Sequence, residues 1–235
     1  MRNGQIIVTG ASRGIGEAIV VELDRRGFAV AGLSRSGVSA AGTGYACDMT
    51  DEHAIAATIA EVAAKGPIIG LVNNAGALES KRSAELSLKE FENTMRLNAS
   101  AVVVACRESY PHLKATDDAL IVNIGSFFDK LAVVENLAYC ASKAAVGAIT
   151  RCLAAEWARD GIRVLDVAPG YIVTDLNRDF ITTDKIQAWL KRRIPAGRAG
   201  STQEVARLVG ALYAENIAFL TGETIYIDGG QGANL

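Results

Sequence analysis

The chain has 235 residues, half of them hydrophobic and 21% charged, enough to bury the core of one large α/β domain. Its formal charge of −2 gives no electrostatic footprint for nucleic acid or an anionic membrane surface, and no apolar run approaches the ~18 residues that would span a bilayer. The four cysteines lack C-x-x-C spacing and the two histidines, His53 and His112, are far apart. Buried free thiols, no metal site and a cytoplasmic location without a targeting segment are therefore expected.

In chain order, Ile6-Ile7-Val8 reads as a first strand and runs into Thr9-Gly10-Ala11-Ser12-Arg13-Gly14-Ile15-Gly16. From residue 17 to 26 the periodicity is helical, with Ile19, Val20 and Leu23 on one face and Gly27 as the stop. Between a strand and a helix, such glycines let the backbone approach a phosphate closely while the helix N-terminus offers free N–H groups. Gly10, Ser12, Arg13, Gly14, Ile15 and Gly16 are thus candidates for binding a dinucleotide. The second strand, residues 28–33, ends at Ser34-Arg35. A carboxylate at this strand end would hold a ribose 2′-hydroxyl. It is absent here, and Arg35 with Arg13 can clamp a 2′-phosphate, which favours NADP (NADPH) over NAD.

Residues 36–44 are too short and glycine-rich for a helix. A strand at 44–47 leads to Asp48-Met49, and Thr50 is the expected cap of a helix from 51 to about 65. The fourth strand, 68–72, closes on Asn73-Asn74-Ala75-Gly76, where small residues leave room for a flat cofactor and the amides can pin adjoining strands. A capping box at Ser87-Leu88-Lys89-Glu90 opens a long helix to about 113. Within it Asn98 lies among apolar residues and must find partners. Residues 119–124 form a nearly continuous apolar strand that delivers Gly125-Ser126 at its C-terminal end, where ligands of open parallel sheets bind.

Tyr139 and Lys143 share one face of a helix. An ammonium one turn away is expected to lower the phenol from its reference pKa of about 10, and Ser126 could hold a substrate oxygen beside it. Taken alone, the same spacing describes an ordinary half-exposed helix face. A sixth strand at 162–168 ends in Pro169-Gly170. Residues 171–200 break the rhythm around Ile186, Trp189 and Leu190, as a substrate lid would. A last helix, 201–215, and a last strand, 223–227, complete the pattern. The expected architecture is a single doubly wound α/β domain over residues 1–235, with a seven-stranded parallel sheet and helices on both faces.

With these residues in place the chain resembles the short-chain dehydrogenase/reductase family from end to end. The resemblance rests on Thr9 to Gly16, Asn73 to Gly76, Asn98, Ser126, Tyr139-x-x-x-Lys143, Pro169-Gly170 through Thr174, and Ile227-Asp228-Gly229-Gly230. It implies a Rossmann fold and a catalytic group of Ser126, Tyr139, Lys143 and Asn98. Tyr139 would be the general acid or base, Ser126 would polarise the substrate oxygen, and Lys143 would bind the nicotinamide ribose. Asn98 would bend its helix and hold a water. The resemblance further places Asp48 and Met49 near the adenine, Asn74, Ala75 and Gly76 on the adenosine side, and Pro169, Gly170, Ile172 and Thr174 near the nicotinamide amide.

Two departures stand out: the helix usual before the third strand is missing, and Asp117, Asp118 and Asp160 put acids where members that dock an acidic acyl carrier tend to be basic. The leading expectation is an NADPH-dependent carbonyl reductase acting on a ketone or aldehyde and its alcohol. Phe127, Phe128, Leu131, Val133, Tyr171 and Trp189 are the candidate substrate-lining residues, with core or subunit-contact roles as the alternative. A 3-oxoacyl-thioester reductase and a non-catalytic NADP-sensing or scaffold protein are the alternatives. Apolar outer positions at Val102, Val104, Ile149 and Leu153, with the resemblance, suggest a homodimer or homotetramer.

Overall fold

The structure is a computed structural model that describes residues 4–175 and 177–233, the side chain of Phe180 excepted. Strand β1 (Gln5–Thr9) passes through the glycine turn into α1 (Gly14–Arg25), and β2 (Ala29–Ser34) and β3 (Thr43–Ala46) follow. Next come α2 (Glu52–Ala64), β4 (Ile68–Asn73), α3 (Leu88–Met95), α4 (Ala101–Lys114), β5 (Ala119–Ile124), α5 (Leu137–Trp157) and β6 (Ile162–Pro169). The remaining elements are β7 (Ile172–Val173), α6 (Arg178–Ile181), α7 (Asp184–Arg193), β8 (Gly200–Ser201), α8 (Thr202–Glu215) and β9 (Thr224–Ile227).

Seven strands pair in parallel in the order β3-β2-β1-β4-β5-β6-β9. Side chains alternate across the pleat, so one register row, Ile7, Leu71, Ile121 and Val164, packs under α2, α4 and α5. The alternate residues Ile6, Val8, Val72, Val122 and Leu165 pack under α1 and α8. Strands β4, β5 and β6 are buried along their whole length, which explains why they read as unbroken apolar runs. The strand order reverses between β1 and β4, and the crevice of a doubly wound fold opens at the C-terminal ends there.

Several local expectations needed correction. The cap of α2 is Asp51, whose carboxylate accepts from the His53 and Ala54 N–H groups at 2.9 and 3.2 Å, while Thr50 bonds back to Asp48. The long helix after Ser87 is continuous but carries a π turn at Arg96–Ser100, with Asn98 inside it. Cys152 is exposed and Cys140 half-buried, while Cys47 and Cys106 are buried; all four are free. Val102 faces the core, and its neighbour Val103, 44% exposed, is the outward residue of that turn.

Residues 35–42 replace a helix between β2 and β3, although a parallel crossover normally takes about a dozen residues or more. The chain manages this by lying directly on the sheet. A Cβ at Gly42, whose φ is +68°, would fall 2.2 Å from the Val30 carbonyl oxygen, and one at Gly32 would fall 2.2 Å from Ser39 Oγ.

Candidate active site

The glycine turn is held from behind. The Thr9 hydroxyl accepts from the backbone N–H of both Asn74 and Ala75, each at 3.0 Å. The Asn74 amide donates to the carbonyls of Thr9 and Gly10 at 2.9 and 3.2 Å. The expectation that these amides pin adjoining strands is met at Asn74. Gly16 is there for closeness, because a Cβ on it would sit 2.1 Å from the Gly10 carbonyl oxygen. Gly14 differs: its φ is +59°, and a Cβ built on it would meet only the Thr174 side chain, at an ordinary contact distance of 3.8 Å.

The N-cap residue of α1, Arg13, makes no side-chain capping hydrogen bond among the described residues. The turn therefore presents N–H groups at a positive helix end together with the exposed Arg13 and Ser12. Arg35 is also exposed, close enough to Asp48 to help draw its carboxyl below the usual range after the larger effect of the Thr50 N–H and hydroxyl. These features fit the diphosphate of a dinucleotide. Two expected partners are placed differently. The Ser34 hydroxyl is spent on the Val38 carbonyl at 2.9 Å, holding the crossover loop, and Met49 turns its side chain into the core beside Cys47, leaving only its backbone for a ligand.

The catalytic candidates do come together. Ser126, in extended conformation just past β5, accepts from the Phe128 N–H at 3.3 Å. Its hydroxyl lies beside the Tyr139 phenol, and Lys143 Nζ is 5.6 Å from the Tyr139 ring centre. Lys143 is buried and donates to the Ile124 carbonyl at 2.7 Å. Asn98 completes the group: its amide donates to the Ala77 carbonyl at 2.9 Å and to Ser142 Oγ at 3.1 Å, and its oxygen accepts from Ala77 N–H at 2.9 Å. The amide is thus satisfied, and it ties the loop after β4 to α5. A Cβ on Gly76 would reach within 3.2 Å of Asn98 Oδ1 and 3.8 Å of Lys143 Nζ.

The electrostatics correct one expectation. The phenol of Tyr139 is pushed up to about 12, not down, because burial outweighs the neighbouring Ser126 hydroxyl. Burial also brings Lys143 down to about 8, against the pull of Asp166. Lys143 Nζ, 5.6 Å from the ring centre, is not among the groups that set the direction of the Tyr139 shift. At neutral pH the tyrosine keeps its proton, the state a general acid needs.

The candidate lining residues form a chain of rings. Tyr139 meets Phe128 at 5.5 Å, Phe128 meets Phe127 at 4.6 Å, Phe127 meets Tyr171 at 5.2 Å and Tyr171 meets Trp189 at 5.3 Å. The line runs from the phenol into residues 171–200, which are more ordered than polar turns. Strands β7 and β8 pair at their base, and Ile181, Leu190, Ile194 and Ala199 make a small core. A separate open cavity of about 550 Å³, lined by Arg82, Val133, Val134, Leu137 and Cys140 among others, includes none of Ser126, Tyr139 and Lys143.

Reading the sequence missed Thr9 as a staple, Ser142 as a partner of Asn98, and a polar row crossing the sheet. Asn73, Asn123, Asp166 and Thr224 are consecutive register partners on β4, β5, β6 and β9. Asn73 donates to Asn123 at 2.9 Å, and Asn123 to Thr150 of α5 at 2.8 Å. The signal was present: a charged residue between Leu165 and Val167, inside a strand buried on both faces, demands an explanation.

A doubly wound sheet carrying a phosphate-ready turn beside a serine, a tyrosine and a lysine defines a class, the nicotinamide-nucleotide-dependent oxidoreductases. The family described as enoyl-(acyl carrier protein) reductase matches residues 10–231. Glucose 1-dehydrogenase of Gluconobacter oxydans (strain 621H) is 35% identical, over 96% of this chain and 91% of its own. The 3-oxoacyl-acyl-carrier-protein reductase FabG of Escherichia coli (strain K12) is 33% identical, over 96% of each. Among solved structures, the aldohexose dehydrogenase of Thermoplasma acidophilum matches with a TM-score of 0.92 at 30% identity, over 100% of this chain and 96% of that one. A Beutenbergia cavernae protein described as an NAD(P) dependent gluconate 5-dehydrogenase, with bound NADP at low occupancy, matches at 0.89 and 31% identity, over 98% and 97%. The chain belongs to the short-chain dehydrogenase/reductase family, and it is an NAD(P)-dependent oxidoreductase acting on CH–OH groups.

Proposed function

We propose that this protein is an NADPH-dependent carbonyl reductase that converts a small or medium ketone or aldehyde to the alcohol, with Tyr139 as general acid. The observation that carries the reading is the Tyr139 phenol beside the Ser126 hydroxyl, with the buried Lys143 Nζ 5.6 Å from its ring centre. A nicotinamide held there would supply the hydride that the carbonyl carbon takes up. Tyr139 gives its phenolic proton to the carbonyl oxygen as the C–H bond forms, so no free alkoxide accumulates. Ser126 donates a hydrogen bond to the same oxygen and polarises it. Lys143 holds the ribose and balances the phenolate left on Tyr139, while Asn98 keeps the loop after β4 in place.

For the cofactor, Arg13 and Arg35 favour NADPH: both residues are exposed and neither makes a salt bridge among the described residues, although the charge of Arg35 reaches Asp48. Residues 171–200 act as the lid, and the rings from Phe128 to Trp189 give the substrate an apolar wall. Apolar surface on α4 and α5, including Val103, supports a dimer or tetramer. A second reading, a 3-oxoacyl-thioester reductase, draws on the FabG relatives and on the exposed Lys191, Arg192 and Arg193 at the end of α7, which an acidic carrier would meet.

The test is NADPH consumption with apolar ketones, 3-oxoacyl thioesters and aldoses, comparing wild type with Tyr139→Phe. The variant should lose the reaction about 100-fold or more, the scale of a positioned proton donor. Full activity in the variant sinks the mechanism, and preference for thioesters moves the assignment to the second reading.

A further inference from the structure

We propose that Asp166 is a positioning residue of this reaction, a buried carboxylate that keeps Lys143 charged and in place from the far side of the Ile124–Gly125 peptide. The proposal rests on the functional reading above for what Lys143 does, and on separate observations for what Asp166 does.

Asp166 is 0% exposed, in the middle of β6. An ionised carboxylate there loses its water and needs compensation from the protein. Hydrogen bonding supplies little of it. Oδ2 accepts from Thr224 Oγ1 at 3.2 Å, and Oδ1 makes no hydrogen bond of ordinary length among the described residues. The Gly125 N–H gives some help but is already committed to the Val167 carbonyl at 2.9 Å.

Where the carboxylate sits is informative. A Cβ on Gly125 would fall 2.4 Å from Asp166 Oδ1 and 2.6 Å from Oδ2, so the carboxylate lies flat against that glycine. The carbonyl of the preceding residue, Ile124, accepts from Lys143 Nζ at 2.7 Å, and the following residue is Ser126. Lys143 and Asp166 therefore flank one peptide, next to the serine. Lys143 has no carboxylate within ion-pair distance among the described residues. The charge acting on it is that of Asp166.

Other groups face the pair from each packed element. Tyr139 of α5, with Ser126 at its phenol, lies beside Lys143, while Asp129 from the chain after β5 and Thr224 and Tyr226 from β9 lie around Asp166; Cys140 and Arg151 of α5 act one group further out, on Tyr139 and Tyr226. Asp129 opposes ionisation of Asp166, but its own Oδ2 is engaged by Tyr226 Oη at 2.6 Å. The cation nearest in effect to Asp166 is Lys143. Burial raises Asp166 to about 6 and lowers Lys143 to about 8, and each charge offsets part of the other's shift. Between those values both are ionised. Above about 8 the lysine loses its proton, and below about 6 the carboxylate gains one.

The test is an NMR titration of protein carrying ¹³Cε-labelled lysine, without cofactor, with the Lys143 signal assigned through Lys143→Arg. In the unmodified protein, that signal should show its own step and a smaller one at lower pH as Asp166 ionises. In Asp166→Asn, a neutral side chain of the same shape, the lysine midpoint should fall by about 1 pH unit or more. The alkaline limb of kcat/KM should move down with it. A single step in the unmodified protein, or an unchanged lysine midpoint in Asp166→Asn, overturns the proposal, and the first of these needs no variant to fold. Lys143→Ala with full activity would instead sink the catalytic reading and leave the titration result standing.

Discussion

Replacing Thr9 by valine keeps the shape of the side chain and removes one oxygen. Thr9 is 1% exposed, and that oxygen is the acceptor for two backbone N–H groups, Asn74 and Ala75, at 3.0 Å each. An unpaired buried donor costs about 1–3 kcal/mol, which bounds the pair at about 2–6 kcal/mol. Asn74 and Ala75 are only half-buried, so water can reach part of what the oxygen leaves, and the Asn74 side-chain bonds to the Thr9 and Gly10 carbonyls survive. The lower part of the range, about 2–3 kcal/mol, is therefore expected. Urea unfolding followed by tryptophan fluorescence at fixed protein concentration reads it as a lower midpoint with an unchanged slope. The KM for NADPH should rise in the same variant, because the loop that Thr9 holds borders the phosphate turn. A loss below about 0.5 kcal/mol, within the noise of ordinary surface substitutions, would refute the staple.

Gly76→Ala should lower kcat/KM while leaving the thermal midpoint nearly in place, since its Cβ would crowd Asn98 Oδ1 and come into contact with Lys143 Nζ in an otherwise exposed loop; unchanged steady-state kinetics would argue against that loop bordering the reacting atoms. Arg35→Ala should raise the KM for NADPH and spare that for NADH, and an equal rise for both would remove the phosphate clamp. Acid should weaken the fold in a defined window. Arg25 and Arg26 hold Glu22 down to about 2, and Arg198 with the Ser201 cap does the same for Glu204, against a reference of 4.5. Depressed carboxylates add stability that is complete above about 4.5 and is lost as pH falls towards about 2. Glu204→Gln should therefore flatten the fall in urea midpoint across that interval, by a small amount because Arg198 is well exposed. An acid limb as steep as that of the wild type would contradict this.

Much of the fold was legible because its signals are local. The phosphate turn announces itself in eight consecutive residues, strands buried on both faces read as apolar runs, and Ser87 and Ser201 carry their capping partners three residues on. The Tyr139–Lys143 spacing is likewise a property of one helix. Boundaries and caps were less secure where two neighbours compete for one role, as Thr50 and Asp51 do. The outward face of α4 was misread at Val102 because the π turn just before it changes the phase of the helix, a shift that no residue pattern announces.

By itself the sequence determined the order of strands and helices, the glycine turn, the missing helix after β2 and the residues able to do the chemistry. Backbone geometry at each of those places depends on a few adjacent residues. Only the tertiary structure decided the charge states and the partners. The direction of the Tyr139 shift depends on how much water is excluded by residues far away in the chain. Thr9 meets Asn74 across 65 positions, and Asp166 reaches Lys143 only because β5 and β6 lie side by side with α5 packed over them. Hydrogen bonds and electrostatics act through space, and folding decides which residues share it.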